Sequence, residues 1–148
     1  MYKHLLITTD GSELAQKGVE HGLALAAALK AHVTILTVTR PLPAEAVRSA
    51  LAAGVDDPVG RFDQQIDEAM KERFRVIEAQ AKAHGVGVEL VHEIDEFPAE
   101  AIVRFAKLKS CDLIVMSSHG RRGARRLILG SQTAEVVTHT EIPVLVVR

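Results

Sequence analysis

The sequence predicts an α/β protein with a parallel sheet covered by helices on both faces, and three observations carry that prediction. Five short apolar runs alternate with longer segments of helical periodicity. Most of the runs are continuous in Val, Ile, Leu and Thr rather than strictly alternating, as burial on both faces requires. Strand, helix and strand in repeated order imply right-handed crossovers, and hence parallel pairing.

The elements follow in order. His4-Leu5-Leu6-Ile7-Thr8-Thr9 is the first strand, closed by the turn and cap signal Asp10-Gly11-Ser12. From Ser12 to about Lys30, Leu14, Gly18, Gly22, Leu25 and Leu29 recur at helical spacing, a stripe wide enough to lie on a sheet. His32 to Thr39 is β-branched and reads as the second strand. Arg40 to Gly60 carries Pro41, Pro43, Gly54, Pro58 and Gly60. It is expected to be a mobile loop with one short helical turn near Ala44 to Ala53. A second helix is expected from about Asp63 to His84, with Ile66, Met70, Phe74, Ile77 and Ala81 on one face.

Gly85 stops that helix, and Gly87 to His92 forms a third strand. Pro98 suits the first position of a third helix, whose buried face is Ala101, Ile102, Phe105 and Leu108. Cys111 to Met116 is the fourth strand, Gln132 to about His139 a short fourth helix, and Ile142 to Val147 the fifth strand. Pro143 cannot donate to a ladder, so the fifth strand belongs at an edge. An uncovered apolar edge is an association surface, and a homodimer through it is expected.

Composition narrows the function classes. A chain of 148 residues fits one domain, residues 1–148, and should bury roughly 68–70% of the surface its unfolded form exposes. A formal net charge of −1 gives no global reason to expect nucleic acid or an anionic membrane as partner. The single cysteine, Cys111, excludes an internal disulfide and fits a reducing compartment. No apolar run approaches the ~20 residues of a membrane span, and Met1-Tyr2-Lys3-His4 leads directly into a strand rather than a signal peptide. A cytoplasmic protein is the expectation.

The stretch from Ser117 to Ser131, S-S-H-G-R-R-G-A-R-R-L-I-L-G-S, is the most informative. It lies between a buried strand and a helix start, where exposed N–H groups and the positive end of the helix dipole face any anion resting there. Glycines let that anion approach the backbone. Asp10 stands at the carboxyl end of the first strand, either facing a ligand or capping the first helix. His119 has no second catalytic group beside it in sequence and reads as a turn residue. Cys111 reads as a small core residue rather than a reactive thiol. Arg121, Arg122, Arg125 and Arg126 form a basic cluster. It is a solvated face first, a phosphate attractor second, and without interleaved aromatics a poor nucleic-acid site. The histidines and Asp56-Asp57 show no metal-ligand spacing.

The chain resembles the universal stress protein family over essentially its whole length. The matching pieces are Thr8-Thr9-Asp10-Gly11-Ser12-Glu13, Cys111-Asp112-Leu113-Ile114-Val115-Met116 and Ile142-Pro143-Val144-Leu145-Val146-Val147. Most specific is the loop pattern G-x2-G-x9-G-[S/T] of nucleotide-binding members, here with Ser117 at the first glycine, Gly120 at the second, and Gly130-Ser131 at the close. The resemblance implies a Rossmann-like open five-stranded sheet in the order 3-2-1-4-5. It also implies a dimer through the last strand, and ATP or AMP at the junction of strands one and four. That junction is the topological switch point, where open α/β sheets hold ligands.

Carried over by position, the resemblance implies a nucleotide site drawn from Thr8, Asp10, Val38, Met116, Ser117, Gly120, Arg121, Gly130, Ser131 and Gln132. Asp10 would face the ribose and a Mg2+ or Mn2+ held with the phosphates, and Val38 would meet adenine through its backbone. Gly120, Gly130, Ser131 and Gln132 would hold phosphate through N–H groups, with the Ser131 hydroxyl adding a bond and Arg121 pairing with a phosphate. Ser117 departs from the pattern. Serine is unfavourable there if the position needs positive φ, and fits if only room is needed.

No G-x4-G-K-[ST] loop and no G-x-S-x-G elbow occur. Backbone donors bind phosphate but supply no base to orient an attacking water. The expectation is therefore an adenine-nucleotide-binding regulatory protein of the stress response with at most slow ATP hydrolysis, and with the Arg40–Gly60 segment responding to the ligand. The alternative is a dimerisation or scaffold module that binds no nucleotide. An enzyme of a related nucleotide-binding group ranks last, because the S-G-G-x-D-S and H-I-G-H signatures are missing.

Overall fold

β1 (His4–Thr8) is buried in its last four residues because it occupies the middle of the sheet. The computed structural model describes residues 1–119 and 128–148. Among them the strands β1, β2 (His32–Thr39), β3 (Val88–Ile94), β4 (Leu113–Ser117) and β5 (Val144–Val147) form one parallel sheet in the order β3-β2-β1-β4-β5. The expected order, direction and edge position of β5 are all observed.

Helices cover both faces. Odd-numbered β1 residues Leu5 and Ile7 pack with Val19, Leu23 and Ala26 of α1 (Glu13–Leu29) and with Ile77 and Ala81 of α3 (Pro58–Ala83). Leu6 faces the other way, toward Ala99, Ile102, Phe105 and Ala106 of α4 (Pro98–Leu108) and Val136 of α5 (Ser131–His139). The two-residue period of a strand thus supplies one core to each face. Gly22 lets α1 lie close to β1: a Cβ there would stand 2.6 Å from Cδ1 and 2.9 Å from Cγ1 of Ile7.

Several boundaries differ from the sequence expectation. The Arg40–Gly60 stretch is mostly helical, holding α2 (Ala44–Ala52) and the beginning of α3. Pro58 and Gly60 open α3 rather than extending a loop. The Asp57 carboxylate accepts from the Gly60 N–H at 3.1 Å, and proline at the first position needs no hydrogen-bond partner for its nitrogen. β3 runs on to Ile94, since its ladder with β2 continues as far as Thr39. β4 starts after Cys111 and ends one residue later than expected, at Ser117.

Cys111 is buried, and its thiol is pushed up to about 11 by burial first, then by the carboxylates of Asp112 and Glu89. That agrees with a core residue and removes the reactive-thiol reading.

Candidate functional site

The turn after β1 is tied down by its own side chains. Thr9 N–H donates to the Leu36 carbonyl at 3.1 Å, carrying the sheet one residue past the strand. Gly11 N–H donates to Thr9 Oγ1 at 3.1 Å, and Ser12 N–H to Asp10 Oδ1 at 2.9 Å. Ser12 Oγ then accepts from Ala15 N–H at 3.1 Å, so Ser12 caps α1 and Asp10 does not. Asp10 instead shapes an Asx turn at the carboxyl end of the central strand. Gly11 sits at φ +77°, a conformation that disfavours other residues.

Across the switch point, Ser117 closes β4 rather than lying in a loop, because β5 offers Val147 as its ladder partner. Its φ is not positive, so the position imposes no glycine requirement by conformation. Gly18 of α1 packs beside it at ordinary contact distance: a Cβ there would stand 3.5 Å from the Ser117 nitrogen. The Ser117 hydroxyl donates to the His119 carbonyl at 2.9 Å, which satisfies a nearly buried polar group.

The amino end of α5 is fastened to the same place. Gly130 N–H donates to the Ser118 carbonyl at 2.7 Å, and Thr133 Oγ1 donates to the Ser117 carbonyl at 2.9 Å. Gly130 is the N-cap residue and offers no side chain to the helix end. The first bond of the helix ladder is from Ala134 N–H to the Gly130 carbonyl at 2.9 Å. The N–H groups of Ser131, Gln132 and Thr133 precede it and emerge at the positive end of the helix. Beside them, Gln132 Oε1 is buried without a hydrogen-bond partner among the described residues.

The sequence-expected residues therefore divide into groups. Asp10 follows the carboxyl end of β1, Ser117 ends the neighbouring β4, and Gly130, Ser131 and Gln132 form the helix start bonded to Ser118. Gly130 differs from expectation in one respect, since its N–H is committed to Ser118. Its contribution at the helix end is the absence of a side chain. Thr8 is buried at the end of β1, and Met116 packs into the core with Leu6 and Val136. Val38 is half-buried against that same core. Gly120 and Arg121 lie outside the described residues, as do Arg122, Gly123, Arg125 and Arg126.

Sequence reading overlooked two contributors. Thr133 sits in the first turn of α5, where a hydroxyl can reach back to the preceding strand. Arg73 interrupts the apolar stripe of α3, between Met70 and Ile77. An arginine on the inward face of a helix was the available signal. Its guanidinium lies over Gly11: a Cβ built there would stand 2.5 Å from Cζ and from Nε of Arg73. Farther along the same face, His92 of β3 bonds Thr39 Oγ1 through Nε2 at 2.7 Å. Burial lowers the His92 pKa most; the Asp67 carboxylate opposes that shift and Arg73 adds to it.

Among the described residues no cluster of three His, Cys, Asp or Glu side chains is arranged to hold a metal ion. No helix among them is long and apolar enough to cross a membrane.

The geometry can be set beside known proteins. The Bacillus subtilis universal stress protein YxiE is 34% identical over 151 residues, with all of both chains covered. Universal stress protein MJ0577 of Methanocaldococcus jannaschii is 30% identical over 156 residues, covering all of this chain and 96% of the relative. A solved structure of MJ0577 superposes with a TM-score of 0.81 at 28% identity, covering 99% of this chain and 96% of that one. A universal stress protein crystallised in complex with cAMP shares the fold, with a TM-score of 0.70 at 24% identity and coverage of 99% and 97%. The sequence model of the universal stress protein family matches residues 1–148. The chain belongs to the universal stress protein family.

Proposed function

We propose that this protein binds an adenine nucleotide, ATP or AMP, where the Asp10 turn meets the amino end of α5, and that it acts as a regulatory protein of the stress response. One observation carries the reading. The bond from Gly130 to Ser118 ties a helix start whose N-cap has no side chain to the end of β4, the strand that neighbours β1, after which the Asp10 turn follows. Dipole and N–H groups there favour a phosphoryl group, and the Asp10 carboxylate suits ribose hydroxyls. Gln132 Oε1, buried without a partner among the described residues, adds an acceptor. The cAMP complex of a related fold supports the same ligand class.

In this reading the N–H groups of Ser131 and Gln132 hold phosphate, and the backbone at Val38 meets the base. Thr8, Met116 and Ser117 line the site through main chain and small side chains, and Gly120 and Arg121 complete the phosphate side. A Mg2+ or Mn2+ held with the phosphates would find Asp10 as its protein ligand and draw its remaining ligands from phosphate and water. Hydrolysis is at most slow, because backbone donors bind phosphate without supplying a base for an attacking water. The protein is cytoplasmic, forms one domain over residues 1–148, and pairs with a second copy through Ile142 to Val147. The half-exposed β5 at the sheet edge supports that pairing and would equally serve a scaffold that binds no nucleotide.

The test is direct. Protein purified without added nucleotide is denatured and the supernatant chromatographed, then fresh protein is titrated calorimetrically with ATP and magnesium. Released or bound adenine nucleotide, lost in Gly130→Val with unchanged far-ultraviolet circular dichroism, is the expected result. The backbone at Gly130, φ −58° and ψ 152°, accommodates valine, so that variant reports occlusion rather than strain. A wild-type protein that takes up no nucleotide would leave the scaffold.

A further inference from the structure

We infer that Arg73 of α3 is a positioning residue for the nucleotide site, holding the Asp10 turn in place by laying its guanidinium on Gly11. This rests on the reading that Asp10 faces the ligand. Cζ and Nε would both stand 2.5 Å from a Cβ on Gly11, with Nη2 nearer still, so the planar group covers the glycine across its face. Gly11 and Arg73 are thus complementary: the missing side chain makes the seat, and the flat cation fills it. Lysine carries the charge but has no plane to lay there.

The Arg73 side chain is braced along its own helix. Nη1 reaches Met70 Sδ at 3.9 Å one turn earlier on α3, and the helix itself is anchored by Ile77 and Ala81 in the core. The turn below carries its own bonds, Gly11 to Thr9 and Ser12 to Asp10, yet Gly11 is exposed and sits at positive φ. Short local bonds at an exposed turn open readily. A group braced on a packed helix restricts that opening, and an Asp10 held ready loses less freedom when a ligand arrives.

The test has two readouts on Arg73→Gln and Arg73→Lys. The first is amide hydrogen exchange without nucleotide. Gly11 and Ser12 are expected to exchange about tenfold faster in both variants. The Cys111 amide, bonded to Ala106 on the opposite side of the sheet, should keep its rate. The second is calorimetric titration with ATP and magnesium, where both variants should lose about tenfold in affinity. Unchanged exchange at Gly11 and Ser12, acceleration spread equally to Cys111, or full recovery by lysine would each overturn the inference. A wild-type protein that binds no ATP refutes the nucleotide reading and, with it, the assignment of Arg73 to a nucleotide site. Wild-type binding with unaltered variants refutes Arg73 alone.

Discussion

Thr133 and Ser117, separated by 16 positions in sequence, are joined by a bond of 2.9 Å from the threonine hydroxyl to the serine carbonyl. Together with the bond from Gly130 to Ser118, it fixes the start of α5 against the end of β4. The helix end proposed to face phosphate is thereby tied to the sheet's own hydrogen-bond system. A helix start held by such bonds would meet an anion with little reorganisation, as the proposed function requires.

Thr133→Val keeps the shape of that buried side chain and removes its donor. The Ser117 carbonyl then loses a partner in a nearly water-free place, which should lower stability by about 1–2 kcal/mol. Urea unfolding should show a lower midpoint with an unchanged slope. ATP affinity should fall too, since α5 is less firmly placed.

Ser117→Gly should leave ATP affinity equal or modestly raised. The backbone there does not require glycine, and the substitution removes only a Cβ and the hydroxyl bond to the His119 carbonyl. Loss of that bond should lower stability by about 1 kcal/mol. A large fall in affinity on titration would mean that the serine hydroxyl itself holds the ligand.

Gly22 and Gly87 offer a paired test of packing. A Cβ at Gly22 meets the fully buried Ile7 at 2.6 Å, whereas at Gly87 it meets nothing within 4 Å. Overpacking at Gly22 costs about 1–3 kcal/mol, and alanine's helix preference returns about 1 kcal/mol of it. Gly22→Ala should therefore destabilise by about 1 kcal/mol, while Gly87→Ala stays within about 0.5 kcal/mol of the parent. Equal midpoints for the two variants would contradict the close approach of α1 to β1.

His92 should contribute a pH dependence of stability. Burial, opposed by Asp67 and aided by Arg73, holds its pKa below the ordinary value of 6.5. The unfolded chain therefore takes up a proton before the folded one does. Stability is intact above that ordinary value and declines as pH falls from it toward the lowered folded value. In His92→Gln the decline across that window should be shallower, as read by urea midpoints at a series of pH values. An unchanged slope would show that His92 is not the titrating group.

Local pattern in the sequence was enough for the α/β alternation, the parallel sheet and the edge position of β5. The first two depend on residues two to four apart, in continuous apolar runs and helical stripes; the edge position of β5 is as expected, although Pro143, the residue that suggested it, precedes the strand. The glycine-bearing stretch before Ser131 likewise marks itself, because a helix start after a buried strand is a local feature. Boundaries were less legible where a cap outweighed composition. Pro58 and Gly60 resemble loop residues until Asp57 is seen accepting from Gly60. Ser117 looked like a loop residue because its strand partner, Val147, is remote in sequence.

Only the tertiary structure decided how the Gly130 N–H is spent, that Thr133 braces Ser117, and that an arginine of α3 covers the turn after β1. Periodicity tells which side of a helix faces inward, but not which atom waits opposite. That depends on the crossing of whole elements, set by close packing of the core, and no short window of sequence contains it.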